Sequence, residues 1–407
     1  MIFYTFLLIL SSFILFLISL KSFKEVSSFI YIFLLFTLLY TLLPMLFIQY
    51  QDYINVNFTL PLLDKEHIIY VVKHQIIIYF LLSVLLYNKN FKYLLKVADK
   101  NYTSSFGKDI FYIYIILYLP SFIMVYLFPW FQYGDTVTFG NSISSYIVTI
   151  NLILFASLSI QYSNNKLSKN RYLFILLLIL ILFILFTART PLFILIFMLI
   201  WTFNIKVNNI FKYIPQLLFI IVLFIFITLN RNDIEMNLTT ISYPFFVEAL
   251  YGSYGALQAQ EINSIPIYSF LYPIIDSIMY LIPSIFFDLF DTNKLYSMNE
   301  ASLVTNAYTN GTLEHKFQPM GGHFYLGEYI LVFGLFTPIA FVVFIFLYFK
   351  LLEKFNNEIG LLMLSGSFLI IKSPISSIFK YYISIFILYY LFNFFLHIIF
   401  KVKVKKL

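Results

Sequence analysis

The chain has 407 residues, of which 61% are hydrophobic, 21% are aromatic and only 11% are charged. Roughly a quarter of the residues in ordinary soluble domains are charged, so no soluble core would take up this much apolar side chain. The formal net charge is +7, and the absence of cysteine is compatible with any redox compartment.

Apolar runs of about 20 residues, the length that crosses ~30 Å of hydrocarbon as a helix, recur along the whole chain. They predict an all-α integral membrane protein with about eleven spans, near residues 2–20, 27–48, 68–88, 110–129, 143–161, 172–187, 191–205, 213–230, 324–348, 358–372 and 379–400. A membrane β-barrel is excluded because the runs lack its alternation of apolar and polar residues. The first run has neither a basic leader nor a small-residue cleavage site, so we expect a retained helix and not a signal peptide.

The lysines predict the orientation of these spans, because cytoplasmic loops carry an excess of Lys and Arg. Alternate loops hold 18 of the 26 basic residues, including the cluster at the C-terminus. We therefore expect the N-terminus to lie outside and the C-terminus to lie in the cytoplasm. This bias accounts for the net charge of +7, so no nucleic-acid partner is needed to explain it.

One connection is far longer than the others and runs from about residue 231 to 322 on the predicted outer side. It is rich in Tyr, Phe, Ile and Leu, which argues against disorder. A twelfth span at 265–290 would place the later lysines outside, so an amphipathic helix on the outer leaflet fits better. The chain thus divides into about eight spans at 1–230, an outer loop at 231–322 and about three spans with a basic tail at 323–407.

The three arginines differ in what they suggest. Arg171 lies among cytoplasmic lysines and is expected to set topology, whereas Arg189 and Arg231 fall on the predicted outer face. Among so many lysines, an arginine is expected where a planar guanidinium must grip phosphate or carboxylate through two parallel hydrogen bonds. The alternative for both outer arginines is a side chain that snorkels to the membrane interface.

The end of the outer loop provides a second group of candidates. Gly321 and Gly322 come just before the ninth predicted span, so His323 is expected in its first turn, where free N–H groups favour an anion such as phosphate. Glu328 lies about 7–8 Å further along the helix, at membrane depth, where a carboxylate needs a partner or a proton. His323 is a candidate general acid or base, or a neutral donor to a phosphoryl oxygen. The alternatives are a helix-capping or interface histidine for His323 and a structural, hydrogen-bonded carboxylate for Glu328.

These stretches resemble the oligosaccharide repeat-unit polymerases, also called O-antigen or Wzy-type polymerases, of bacterial surface polysaccharide pathways. Thr-Ala-Arg-Thr-Pro-Leu at 187–192 is similar to that family's Ser/Ala-Arg-Thr turn between helices. Gly-Gly-His-Phe-Tyr-Leu-Gly-Glu at 321–328, followed by Phe333 and Gly334, is similar to its Gly-Gly, Gly-Glu and Phe-Gly pattern. Ile-Pro-Ser at 282–284 departs from the family's Ile-Pro-Arg by a serine. The layout, with one large outer loop in the second half, is also similar.

The resemblance implies a glycosyltransferase at the outer face of the bacterial cytoplasmic membrane, acting on oligosaccharides linked to polyprenyl diphosphate. Arg189 and Arg231 would grip the diphosphate, with Gly321 and Gly322 in the same binding site. His323 would activate the acceptor hydroxyl or steady the leaving group, and Glu328 would orient its neighbours. No cofactor or metal is implied, while membrane lipid, a flippase and a chain-length regulator are expected partners.

Two other functions stay open at this point. An O-antigen ligase uses the same donor with a lipid A-core acceptor, and sequence separates it poorly from a polymerase. A lipid-linked oligosaccharide flippase would line a central cavity with charged residues, and Lys73 and His74 inside the third predicted span fit that reading. Because both residues lie near the outer end of the span, snorkelling to the interface is the alternative.

Overall fold

The computed structural model describes residues 2–23, 65–88, 101–107, 109–128, 139–186, 189–205, 333–372 and 375–400, together with residues 42, 215, 222, 326, 329 and 330. Within these residues the structure is helical and contains no strand. Six of the described helices are long and apolar enough to cross a membrane. The predicted class, a membrane-embedded all-α protein, is confirmed at this level. The spans predicted at 27–48 and 213–230 and the loop at 231–322 lie outside the described residues apart from positions 42, 215 and 222, so the number of eleven spans stays a prediction.

The helices are α1 (Ile2–Phe23), α2 (Lys65–Tyr87), α3 (Ile110–Leu127), α4 (Phe139–Ser163), α5 (Lys169–Phe186), α6 (Arg189–Thr202), α7 (Thr337–Leu352), α8 (Glu358–Ser365), α9 (Leu369–Lys372) and α10 (Ile375–Phe400). A 3₁₀ turn, Gly334–Phe336, leads directly into α7. The six membrane-length stretches lie in α2, α3, α4, α5, α10 and the unit formed by this turn and α7.

Two predicted spans are interrupted in the structure. The run at 324–348 breaks at Gly334, where a positive φ of 51° interrupts the helix. The run at 358–372 is divided into α8 and α9 by a turn at 366–368, where glycine and serine, both weaker helix formers than the leucines before them, follow one another. The length of the apolar runs alone predicts a continuous helix at both places. The glycine and serine residues at the breaks explain why the helices are interrupted.

The centre of the described bundle is α4, which packs against α3, α5, α6, α8 and α10. Every residue of α8 is buried, so this short helix lies inside the bundle and away from lipid. Gly360 allows the Tyr102 ring to lie against α8, since a Cβ at that position would come within 2.7 Å of Tyr102 Cε1. On the other side of the bundle, α1 and α7 both pack against α2.

The bundle has two ends, which we call the Glu358 end and the Arg189 end. The Glu358 end holds the start of α8 and the adjoining loop 101–107. The Trp201 ring near the end of α6 lies 5.3 Å from the Tyr102 ring of that loop. At 1.5 Å per residue, Arg189 therefore lies about 18 Å further along α6, toward the opposite end.

Exposed basic residues gather at the Glu358 end. They are Lys166, Lys169, Arg171, Lys350 and Lys354. Lys166 lies in the α4 to α5 connection, and Lys169 and Arg171 lie in the first turn of α5. Lys350 lies in the last turn of α7 and Lys354 follows it, so segments that are far apart in sequence meet on one side. This is the grouping that the lysine count predicts, and it makes the Glu358 end the predicted cytoplasmic end.

The predicted orientation is tested with a reporter that is active only outside the cell. A fusion after Leu407 is expected to be silent, and a fusion inserted between Asp291 and Thr312 is expected to be active, because the lysine-rich loops should stay in the cytoplasm. Reporter activity is measured in intact cells, with protein levels checked by immunoblot. Activity at the C-terminus would show that 265–290 crosses the membrane or that the lysine count is misleading.

Candidate functional site

The Arg189 end begins with the first turn of α6. Arg189 is the first residue of this helix, followed by Thr190 and Pro191. Proline is favoured in the first helical turn, because the N–H groups there have no partner within the helix. The sequence thus places Arg189 at a helix N-terminus, where the free N–H groups and the positive end of the helix dipole favour anions.

A second feature of the Arg189 end is the break that precedes α7. Gly334 adopts a left-handed backbone conformation with φ 51°, which costs glycine little and other residues much more. Thr337 Oγ1 lies 2.6 Å from the carbonyl oxygen of Gly334 and 2.9 Å from that of Tyr329, so its hydroxyl lies across the break. The Phe333 and Gly334 pair, similar to the Phe-Gly element of the polymerases, therefore lies at a bend and not within a straight helix.

His74 of α2 also lies at this bend. Its side chain is buried, with Nδ1 2.9 Å from the carbonyl oxygen of Tyr70 and Nε2 3.2 Å from that of Gly334. A neutral imidazole carries one N–H and can donate to only one of the two oxygens. Snorkelling is therefore wrong for His74, which links α2 to the bend. It stays a prediction for exposed Lys73, whose Nζ lies 5.2 Å from the Tyr4 ring centroid.

The Glu358 end contains a buried carboxylate. Oε1 of Glu358 accepts a hydrogen bond from the backbone N–H of Ser105 at 2.9 Å and lies 3.0 Å from Ser104 Oγ. Oε2 lies 3.3 Å from the hydroxyl of Tyr389. We call Ser104, Ser105, Glu358 and Tyr389 the Glu358 latch. It joins the loop 101–107 to the start of α8 and to α10.

Further hydrogen bonds hold the same loop in place. The backbone N–H of Thr103 donates to the carbonyl oxygen of Asn356 at 2.7 Å. From α4, Gln161 Nε2 donates to the carbonyl oxygens of Phe106 and Gly107 at 3.3 and 3.0 Å. Burial raises the pKa of the Tyr102 hydroxyl above its ordinary value, which is itself well above neutral pH. These contacts give the Glu358 end a structural role, because they join the loop 101–107 to α4, α8 and α10.

Comparison with protein-family models, with curated proteins and with solved structures gives no match. The resemblance to polymerases stays a prediction from the sequence.

The structure places one of the predicted site residues. Arg189 lies at the N-terminus of α6, as expected for a residue at a break between two apolar runs. The other predicted site residues lie outside the described residues, and they are Arg231, Gly321, Gly322, His323 and Glu328. Leu326, Tyr329 and Ile330, on either side of Glu328, are buried. The grouping of Arg189 with the residues from the outer loop is therefore still a prediction.

Sequence reasoning missed the Glu358 latch. The sequence does contain an indication of it, because Glu358 stands at the start of a predicted span. A carboxylate beside an apolar run needs a hydrogen-bond partner or a proton, by the same argument that was applied to Glu328. The serines and the tyrosine that surround it carried no signal, since they lie far away in the sequence. Among the described residues, no three His, Cys, Asp or Glu side chains are grouped so that they would hold a metal ion.

Replacement of Glu358 by alanine is expected to destabilise the bundle by about 1–3 kcal/mol, because the N–H of Ser105 would lose its acceptor, whereas the Tyr389 hydroxyl keeps Ser105 Oγ at 2.7 Å. Glu358→Gln keeps one carbonyl oxygen and should cost less. The measurement is thermal unfolding of the purified protein in detergent. Glu353→Ala, an acidic residue of the same connection that is only partly buried, is the matched control. An unchanged unfolding temperature for Glu358→Ala would show that the latch contributes nothing to stability.

Proposed function

We propose that this chain is a membrane glycosyltransferase that polymerises lipid-linked oligosaccharide repeat units at the outer face of the bacterial cytoplasmic membrane. It transfers the growing glycan from polyprenyl diphosphate onto a new repeat unit carried by the same kind of lipid. The product is a surface polysaccharide of the O-antigen or capsule type.

The observation that carries this proposal is the placement of its two motif-like stretches. Arg189 begins α6 about 18 Å from the Glu358 end. Gly334 precedes α7, whose other end, Leu352, leads directly to Glu358. Arg189 and Gly334 therefore lie away from the basic residues of the Glu358 end and toward the other end of the bundle. A site assembled there would face the predicted outer side, where lipid-linked repeats are used.

The chemistry requires little beyond the residues that the sequence singles out. The acceptor hydroxyl oxygen attacks the anomeric carbon of the donor, and its proton passes to His323. The bond between that carbon and the diphosphate oxygen breaks, and polyprenyl diphosphate leaves with the electron pair. Arg189 and Arg231 stabilise the developing negative charge, as preorganised cations do at phosphoryl leaving groups.

The remaining predicted residues serve binding and orientation. Gly321 and Gly322 bring the backbone close to the diphosphate at the start of the ninth predicted span. Glu328 orients its neighbours from within that span. Donor and acceptor are both lipid-borne, which suits a loop that lies on the membrane surface. A flippase would supply the repeats, and a chain-length regulator would act on the product.

Deletion of the gene followed by gel analysis of the surface glycan tests the proposal. A polymerase mutant should keep single repeats, linked to lipid or to the core, and lose all longer chains. Restoration of long chains by the intact gene on a plasmid is the control. Loss of every repeat, including the single one, would contradict polymerisation and favour a ligase or a flippase.

A further inference from the structure

The bend before α7 is also the C-terminal end of a helical segment. The described positions just before Gly334, which are 326, 329, 330 and 333, are helical, and Gly334 follows them with a φ of 51°. A glycine in this left-handed conformation commonly ends a helix. The last carbonyl oxygens of a helix have no partner within it, and the negative end of the helix dipole lies there. Such an end favours a hydrogen-bond donor that carries a positive charge.

Three carbonyl oxygens meet two polar side chains at this bend. Thr337 Oγ1 lies 2.6 Å from the carbonyl oxygen of Gly334 and 2.9 Å from that of Tyr329. The buried ring of His74 reaches the oxygen of Gly334 through Nε2 at 3.2 Å and that of Tyr70 through Nδ1 at 2.9 Å. Carbonyl oxygens only accept hydrogen bonds, and a neutral imidazole has a single N–H. A neutral His74 ring therefore directs one nitrogen lone pair at a carbonyl oxygen.

An imidazolium at His74 removes this conflict, because both of its ring nitrogens carry a hydrogen. Nδ1 then donates to the oxygen of Tyr70 and Nε2 to that of Gly334. The Thr337 hydroxyl can donate to the remaining oxygen, that of Tyr329. Three hydrogens then match three oxygens, and hydrogen bonds from a charged donor are the stronger kind.

The charged groups around His74 do not replace these carbonyl oxygens. The titratable side chains described on the surrounding elements are Glu66, Tyr70, Lys73, Tyr79 and Tyr87 on α2, Tyr4 on α1, Tyr329 before the bend, and Tyr348 and Lys350 in α7. Among these, Glu66 is the one carboxylate, and it lies eight residues, or ~12 Å, before His74 along α2. Lys73 is exposed and lies over the Tyr4 ring. A charge on His74 is therefore stabilised by the carbonyl dipoles at the helix end.

We propose that His74 is a proton-binding site that holds α2 against the bend. The ligand is a proton from the medium, and its binding supplies the second N–H that the two carbonyl oxygens require. Histidine ordinarily changes its charge between pH 5 and 8, so the contact responds to pH in that range. His74 lies within the membrane-length stretch Ile69–Tyr87. Ionisable side chains buried between membrane helices, and backbone that unwinds at a broken helix, are both typical of proton and ion sites.

The test compares the natural full-length protein with His74→Gln by thermal unfolding in detergent at several pH values. Protonation adds a hydrogen bond that exists only in the folded chain. The stability that depends on His74 should therefore be complete near pH 5 and be lost as the pH rises to 8. Glutamine does not titrate. The unfolding temperature of the natural protein is expected to exceed that of the variant by about 2–4 °C more at pH 5 than at pH 8.

His397→Gln is the matched control, because it removes an exposed histidine near the end of α10. It should keep the pH dependence of the natural protein. A second measurement does not require His74→Gln to fold. The chain has five histidines, so replacement of the other four by glutamine leaves His74 as the only source of imidazole signals. With ¹⁵N-labelled histidine, an imidazolium gives two similar nitrogen shifts, whereas a neutral ring gives two well-separated ones. We expect similar shifts at pH 5.

Three results would overturn the proposal. One is a difference between the natural protein and His74→Gln that is the same at pH 5 and pH 8, since a neutral ring that only packs contributes equally at both. The second is loss of the pH dependence in His397→Gln, and the third is a His74 ring that stays neutral at pH 5. None of them bears on polymerisation, because this inference stands on described residues alone and the deletion experiment tests the proposed function separately.

Discussion

The His323→Asn variant is expected to polymerise lipid-linked repeats about 10²–10⁴-fold more slowly than the natural protein, because asparagine cannot exchange a proton with the acceptor hydroxyl. A capping role predicts a different result. Asparagine is among the best helix N-caps, so the change would then be nearly silent. The two roles for His323 thus differ by orders of magnitude in rate.

The assay measures polymer formed by the purified variant, with folding checked by thermal unfolding. His315→Asn, which makes the same change eight positions earlier in the outer loop, is the matched control and should keep the normal rate. A folded His323→Asn enzyme with the normal rate would remove His323 from the catalytic residues and leave the chemistry to the arginines.

The Arg189→Lys variant is expected to lose most polymerisation while it stays inserted and abundant. Lysine keeps the positive charge, so an interface anchor would tolerate the change. Lysine does not provide the planar fork that forms two parallel hydrogen bonds with a phosphate. Glycan length on a gel is the measurement, with membrane levels determined by immunoblot.

Arg171→Lys is the matched control for that experiment. Arg171 is exposed at the Glu358 end, where its guanidinium lies 5.3 Å from the Phe111 ring centroid. The same chemical change there should leave glycan length unchanged. If Arg189→Lys makes glycans of wild-type length, Arg189 serves only as an interface anchor. The N-terminus of α6 would then not be part of the diphosphate-binding site.

Much of the described fold follows from apolar length alone. The predicted span at 110–129 is α3 at Ile110–Leu127, and that at 143–161 lies within α4 at Phe139–Ser163. A membrane helix satisfies its backbone hydrogen bonds internally, so its existence depends on a local property that the sequence displays directly. The start of α6 is equally local, because Pro191 favours a first turn.

The breaks in the helices and the polar contacts between them could not be predicted from the length of the apolar runs. A glycine inside an apolar run is compatible with both a straight and a bent helix, and the bend at Gly334 is fixed together with Thr337 and His74, the latter from a distant helix. The Glu358 latch joins Ser104 to a carboxylate 254 positions away. Such pairings depend on how helices pack against one another. The spacing of apolar residues within one segment does not predict that packing.

The candidate site was only partly open to prediction for a related reason. Arg189 and the Gly334 bend belong to short motifs at helix ends, and the structure places both toward one end of the bundle. The packing of α6 against the turn after α8 belongs to no motif, and it is seen only in the contacts of Phe368 with Phe193 and Phe197. An arrangement of this kind is found from packing and not from pattern.

The Glu358 latch is completed only late in the synthesis of the chain. Ser105 is translated 284 residues before its partner Tyr389. At about 5–20 residues per second, the loop waits roughly 15–60 s on the ribosome before its last partner emerges. A chain that stops before α10 lacks Tyr389 of the latch, so we expect truncated fusions to be cleaved more readily by membrane proteases. Reporters inserted into the complete chain avoid this loss, and C-terminal truncation series are expected to understate the stability of the early helices.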